Sequence, residues 1–494
     1  MVDESLIAHL KRTVSEALEP EYRKLVQYTD EELNLTDDQK RQIMQSLYEC
    51  KVLDPACGSG AFPMGVLQQM VHILRQLDPT NEMWKDFMID IAIDQSRKAF
   101  NAEEEEERKA RLADIEEAFN RDVNDPDYAR KLYLIEHCIY GVDIQPIAVQ
   151  ISKLRFFISL VVDQNPTDDA AHNFGIRPLP NLESKFVAAN TLIPVECDAS
   201  LFESTETILS LKENLKELNH AIFLAKRNID KQRIKTKIKE TRKALANAIE
   251  DTGFVNPGAA QKLADWDMFE QNTHADFFDA KWMFGVKGGF DIVIGNPPYV
   301  VVPVGLYPNY EWNNDLYKMF FELSLKKLCL SNGVVTMITP KFYLLNKDDN
   351  KMRLYFMNRV ELLSLVTCNP FDAVTENVIT IIQTEIPQRI TVPYYDYNSE
   401  DKIFERLEDL DKNYCKTNKY NEMIFGLSTE IIAILQKMYE RGKPLGELTE
   451  SKRGAEVSKN FLRENDCGLE TLIGQDMRKY CILWNSTYLP QTHK

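Results

Sequence analysis

The run Gly289-Phe290-Asp291-Ile292-Val293-Ile294-Gly295-Asn296-Pro297-Pro298-Tyr299-Val300 decides how this chain is read. Residues 290–294 are short, apolar and rich in β-branched side chains, the composition of a strand buried on both faces. Gly-Asn-Pro-Pro-Tyr ends that strand, because proline has no N–H to give to a ladder. Two readings follow. One is a strand closed by a rigid turn. The other is a catalytic edge offering an amide, a fixed backbone carbonyl and an aromatic ring.

Outward from this run, strands alternate with helices. Residues 51–54 read as a strand entering Asp54-Pro55-Ala56-Cys57-Gly58-Ser59-Gly60, with a helical pattern after it to about residue 77. A second strand spans 138–144, and Pro146, at a first helical position, opens an apolar helix to Val161. A third spans 186–189 and ends at Asn190. Beyond the central strand, a helix at about 314–330 leads through Ser331-Asn332-Gly333 to a strand at 334–338, and runs at 362–367 and 378–383 add two more. This alternation predicts an α/β fold with a doubly wound, mostly parallel sheet and ligands at the strand carboxyl ends. Upstream, residues 1–19 read as one amphipathic helix and Thr36-Asp37-Asp38-Gln39 as a capping box. Residues 81–136 and 200–250 are charge-rich and read as helical insertions. The expected division is 1–425 for the main domain and 426–494 for a connector helix and a second, partial one.

With 494 residues, 44% hydrophobic and 27% charged, the chain has the composition of a globular protein. No apolar run is long enough to span a bilayer, so no membrane is expected. Met1-Val2-Asp3-Glu4-Ser5 carries no basic leader, and nine cysteines lie without C-x-x-C spacing. A cytoplasmic location and no structural metal are expected. A net charge of −17 excludes a uniformly basic nucleic-acid coat. Charge is uneven, however: residues 103–107 are all glutamate, whereas 226–243 are strongly basic. The basic stretch is either a solvated hairpin or a contact for a phosphate backbone.

The loop at Asp54, Ala56, Gly58 and Gly60 has glycines that permit a tight turn and close approach of a ligand. It is not a phosphate loop, since no Lys-Ser/Thr pair follows. Asp143, ending the second strand, is suited to accept both hydroxyls of a ribose, or to cap the helix that Pro146 opens. Ile144 beside it could pack on an adenine, and Asn190 could bond that ring's edge. Together the three loops favour a nucleoside ligand.

Asp54-Pro55-Ala56-Cys57-Gly58-Ser59-Gly60-Ala61-Phe62, then Gly141-Val142-Asp143, then Asn296-Pro297-Pro298-Tyr299 resemble, in this order, the motifs of gamma-class N6-adenine DNA methyltransferases. The long insertions and Leu179-Pro180-Asn181-Leu182 resemble type IIG restriction–modification enzymes. The resemblance covers about residues 1–480. It implies S-adenosylmethionine as cofactor, held by Asp54, Ala56, Gly58, Gly60, Asp143, Ile144 and Asn190. It implies double-stranded DNA as partner and catalysis by Asn296, Pro297, Pro298 and Tyr299 on a flipped adenine, with no metal required. Phe371 resembles the second aromatic of the family's base sandwich, and Lys452, Arg453, Arg478 and Lys479 the opening of a DNA target-recognition domain. The family's Tyr-Thr-Pro segment and nuclease region are not found upstream of Met1, and the recognition part is short. A split chain completed by a complementary partner is therefore an expectation too. An inactive DNA-binding fragment, or a methyltransferase acting on RNA or protein glutamine, are the alternatives.

Overall fold

The structure, a computed structural model, describes residues 1–87, 89, 125–195, 206–251, 261–449 and four short strands between 468 and 490. Breaks fall at 30, 167, 170–173, 175, 177–179, 225–227, 264, 271, 304, 313–314, 370–375, 399–400 and 444. Two compact units are present, Met1–Leu427 and Ser428–Lys494. Among the described residues, no helix is long and apolar enough to cross a membrane.

The first unit is built on a nine-stranded sheet. Its strands are β1 (Val52–Asp54), β2 (Ile139–Asp143), β3 (Phe186–Ala188), β4 (Phe290–Gly295), β5 (Cys329–Pro340), β6 (Glu361–Cys368) and β7 (Asn377–Gln383). A short β8 (Thr391–Val392) stands outside it, and β9 (Tyr394–Asn398) and β10 (Ile403–Arg406) extend one edge. The order is β10-β9-β6-β7-β5-β4-β1-β2-β3. From β3 to β5 every pairing is parallel.

β7 departs from this, lying antiparallel between β5 and β6. Only residues 369–376 join β6 to β7, and a parallel return needs a crossover of about a dozen residues or more. The short link therefore dictates a reversed strand. β5 is also longer than the run expected at 334–338: Cys329 pairs with Phe290 before an irregularity that contains Asn332 at φ 68°, and Thr339 and Pro340 stay paired with β7.

Helices cover both faces. On one, α1 (Val2–Thr13), α3 (Asp37–Glu49), α4 (Ala61–Leu77) and α5 (Pro126–His137) pack over Val52, Ile139, Ile292 and Ile294. On the other, Leu53, Val142, Val293 and Val335 meet the helices at Leu316–Leu323 and Asn350–Asn358 and the hairpin of Glu206–Leu224 with Asn228–Glu250. Both faces of the parallel strands are thus buried, which is why those strands read as continuous apolar runs. The basic stretch expected as solvated or phosphate-facing lies largely on the helix Asn228–Glu250. There Arg242 is buried, its guanidinium 4.1 Å from the Trp266 ring, and burial pushes it down to about 9.

The N-terminal helix is shorter than its periodicity predicts. α1 stops at Thr13, Ser15 accepts the Ala17 N–H at 3.3 Å in a 3-10 turn, and α2 (Glu19–Leu25) starts with Pro20 in its first turn. Proline cannot donate to an ongoing helix, so it opens a new one instead. The capping box at Thr36 forms as expected, with Gln39 N–H on Thr36 Oγ1 at 3.2 Å and Thr36 N–H on Gln39 Oε1 at 2.9 Å.

Candidate active site

The strand order reverses between β1 and β4: from β1 the chain progresses towards β3, from β4 towards β5. Loops leaving two such strands at their carboxyl ends diverge and open a crevice, the place where parallel sheets bind ligands. Two of the stretches singled out from sequence, 54–60 and 295–299, leave the sheet on either side of it.

The loop after β1 is held by the loops beside it. Asp143, at the end of β2, accepts the Gly58 N–H at 2.9 Å through Oδ2 and the Gln145 N–H at 2.8 Å through Oδ1. It is therefore a brace between two loops. The cap position of α6 (Pro146–Val161) belongs to Gln145. Cys57 N–H adds a 2.8 Å bond to Val142 O, and Thr191 Oγ1 donates to Pro55 O at 2.7 Å. From α6, the buried Ser152 hydroxyl donates to Gly58 O at 2.9 Å. Gly60, at φ 80°, lies so close to α6 that a Cβ would sit 2.8 Å from Ser152 Oγ. This is why glycine stands there.

Asp54 is buried, and its Oδ1 accepts the Ala56 N–H at 3.1 Å. Burial, reinforced by the nearby Asp143 charge, pushes its carboxyl up to about 8. Across the crevice, Gly295 comes so near that a Cβ would lie 2.7 Å from the same Oδ1. Asn296 follows, half-buried, with Pro297 buried and Pro298 exposed. Tyr299, 37% exposed, has its hydroxyl 2.6 Å from Asn296 Oδ1 and 3.0 Å from Ile338 O on β5. Burial raises that phenol, so it stays a donor.

Ile144 is 47% exposed beside Asp143. Asn190 is half-buried, with Oδ1 accepting the Leu192 N–H at 3.2 Å and its own N–H on Ala275 O at 2.9 Å. It shapes the turn that follows β3 at the carboxyl end of that strand. Phe371, Lys452, Arg453 and Lys479 lie outside the described residues, as does the acidic block at 103–107. Arg478 lies in the two-residue strand Met477–Arg478 of the second unit. Sequence reading missed Ser152 and Thr191. Ser152 sits within an apolar helix and carries no local signal; Thr191 is marked only by its place after Asn190.

The glycine-lined loop and the neighbouring Asp54 and Asp143 carboxylates make the switch point of this α/β sheet its candidate ligand site. Residues 137–373 match the Eco57I restriction-modification methylase family. That match covers a little under half of the chain, and it is to a restriction–modification methylase domain that this stretch is similar. The chain is 24% identical to a Methanocaldococcus jannaschii protein named as a type II restriction enzyme and methyltransferase, over 89% of this chain and 39% of that one. It accordingly spans well under half the length of this relative. Among solved structures, it resembles the M protein of the type I restriction enzyme EcoKI, at 10% identity and a TM-score of 0.31 over 74% of this chain and 48% of that one. The type IIL restriction–modification enzyme MmeI, in complex with DNA, is similar at 10% identity and a TM-score of 0.34 over 82% and 40%.

Proposed function

We propose that this chain transfers the methyl group of S-adenosylmethionine to the exocyclic N6 of an adenine in double-stranded DNA. The observation that carries the reading is the meeting of two loops at the switch point. The glycine loop braced by Asp143 and the Asn296-Pro297-Pro298-Tyr299 edge approach one another through Gly295 and Asp54.

The donor set suits the cofactor. A buried Asp54 carboxyl with no cation paired to it among the described residues complements an ammonium or sulfonium, Asp143 a ribose, and the exposed Ile144 an adenine face. When bound, S-adenosylmethionine supplies an electrophilic methyl group. The chain's own residues have to make a poor nucleophile adequate, because the N6 lone pair is delocalised into its ring. Two acceptors facing the two N–H bonds favour a pyramidal nitrogen with a localised lone pair. Asn296 Oδ1 and the Pro297 carbonyl are the acceptors suited to that work, and the proline ring makes the second one rigid. Tyr299 stacks on the extruded base, a contact of about 1–3 kcal/mol, which helps offset extrusion at a cost on the order of a few kcal/mol. Residues from 426 onward contribute to choosing the DNA site.

The test is incubation of the chain with labelled S-adenosylmethionine and duplex DNA, RNA or protein in parallel, with N6-methyladenine read by mass spectrometry. Methylation of DNA lost in Asn296→Ala supports the proposal. Label appearing only in RNA or protein, or an Asn296→Ala variant as active as wild type, sinks it.

A further inference from the structure

The turn after β5 is unused by the reading above, yet it stands at the same edge of the sheet. Lys341–Leu344 is a single 3-10 turn, closed by the Leu345 and Asn346 N–H groups on Phe342 O at 3.2 and 2.9 Å. Tyr343 and Leu344 point into the core, and the Tyr343 hydroxyl meets Thr380 Oγ1 at 2.6 Å. Phe342 and Leu345, three residues apart and so on one side of such a turn, point out, at 62% and 50% exposure. A buried arginine makes the turn rigid. Arg353 donates through Nη1 to Tyr343 O and Asn346 O, both at 2.6 Å, and through Nη2 to Tyr420 O at 2.7 Å. Large apolar side chains fixed outward on a stiffened backbone need a reason.

Their neighbours supply it. On one side, Ile338 O bonds the hydroxyl of Tyr299. On the other, Lys341 pairs with the Glu376 carboxylate and donates its N–H to Glu376 O at 3.1 Å, at the foot of the link between β6 and β7. The turn is thus bracketed by the Asn296-Pro297-Pro298-Tyr299 edge and by the start of β7. Exposed Lys347 and Lys351 follow it and outnumber the exposed Asp348 between them, Asp349 being buried against Lys318, which leaves a net positive charge suited to a phosphate backbone.

We propose that Phe342, supported by Leu345, is a wedge that enters the DNA base stack beside the target adenine and fills the space the extruded base leaves. The occupant is duplex DNA. An apolar ring on a turn whose backbone Arg353 holds substitutes for the lost stacking partner, as inserted apolar side chains do in kinked duplexes. This inference rests on the reading of the site as a DNA adenine methyltransferase.

A wedge is needed only when a paired base must be extruded, and that separates it from a structural role. The target adenine is first located by sequencing plasmid DNA methylated by the full chain. The full chain, Phe342→Ala, Leu345→Ala and Phe342→Trp are then compared on a duplex with that adenine paired and on one with it opposite an abasic position. Phe342→Ala is expected to lower kcat/KM on the paired duplex at least tenfold, equivalent to about 1.4 kcal/mol, and to return to within threefold of wild type opposite the abasic position. Leu345→Ala is expected to do the same more weakly, and Phe342→Trp to retain activity. An equal loss on both duplexes, or no loss on the paired one, overturns the wedge while leaving the methyltransferase reading intact. A wild-type chain that methylates no DNA overturns the reading itself, and the wedge with it.

Discussion

Gly295→Ala probes the coupling between the two sides of the crevice. Gly295 does not have a positive φ, so its backbone accepts an L-residue without strain. In a strand, glycine is weaker than alanine by roughly 0.5–1 kcal/mol, so the substitution alone should stabilise. What opposes it is one contact: the new Cβ would lie 2.7 Å from Asp54 Oδ1, about 0.7 Å inside the 3.4 Å of ordinary contact. Asp54 is buried and tied to Ala56 N–H, so it yields only by moving the loop after β1. Overpacking of this kind costs about 1–3 kcal/mol. The midpoints of the two ranges leave a net loss of about 1.3 kcal/mol, carried by the loop proposed to hold S-adenosylmethionine. Affinity should therefore fall about eightfold. Titration calorimetry with S-adenosylmethionine measures this, with urea denaturation alongside. Gly65→Ala is the control: it lies within α4 with its Cβ 3.7 Å from Val2, and should stabilise by about 1 kcal/mol without touching affinity. If Gly295→Ala stabilises the protein and leaves affinity within twofold, the proposed coupling between Gly295 and the Asp54 loop is wrong.

Three further outcomes are expected. Tyr299→Phe keeps the ring but removes the hydroxyl contacts to Asn296 and Ile338, a loss of about 0.5–1.5 kcal/mol. Single-turnover methylation should fall two- to tenfold, and less than in Tyr299→Ala, which also loses stacking. Asp54, raised to about 8, is neutral at pH 7. A cationic cofactor beside it favours the carboxylate, so binding should release close to one proton near pH 7 and almost none above about pH 9. Calorimetry in buffers of different ionisation enthalpy reads that number, and proton uptake would contradict it. His9 is buried between Arg12, Asp291 and Ser46, and burial, partly opposed by Asp291, lowers it from 6.5 to about 4. The unfolded chain takes up a proton below pH 6.5 that the fold resists until about 4, so stability declines as pH falls through that window, by at most about 3 kcal/mol. Urea denaturation of His9→Gln should show a shallower decline between pH 7 and 5; an unchanged slope would remove His9 from the account.

What could be read without coordinates was governed by local chemistry. Gly58 and Gly60, the Asn-Pro-Pro turn and the alternation of apolar runs each dictate backbone conformation within a few residues, so the strand ends carrying Asp54, Asp143 and Asn296 were legible. The same locality explains the Thr36 capping box. Where one local signal met another, the reading slipped: helical periodicity ran past Thr13, while Pro20 started a new helix.

The rest needed the tertiary structure, because it depends on which strand lies beside which. β7 runs backwards because its link to β6 is short while its partners are distant in sequence. Ser152 reaches Gly58 only because α6 crosses the loop after β1. Asp143, read from sequence as a candidate ribose acceptor, also braces Gly58, since β2 lies next to β1. Phe342 and Tyr343 are adjacent aromatics with the same local preferences, yet one enters the core and the other stands out. Burial is a property of neighbours brought together across the sheet, and a chain read one window at a time does not contain it.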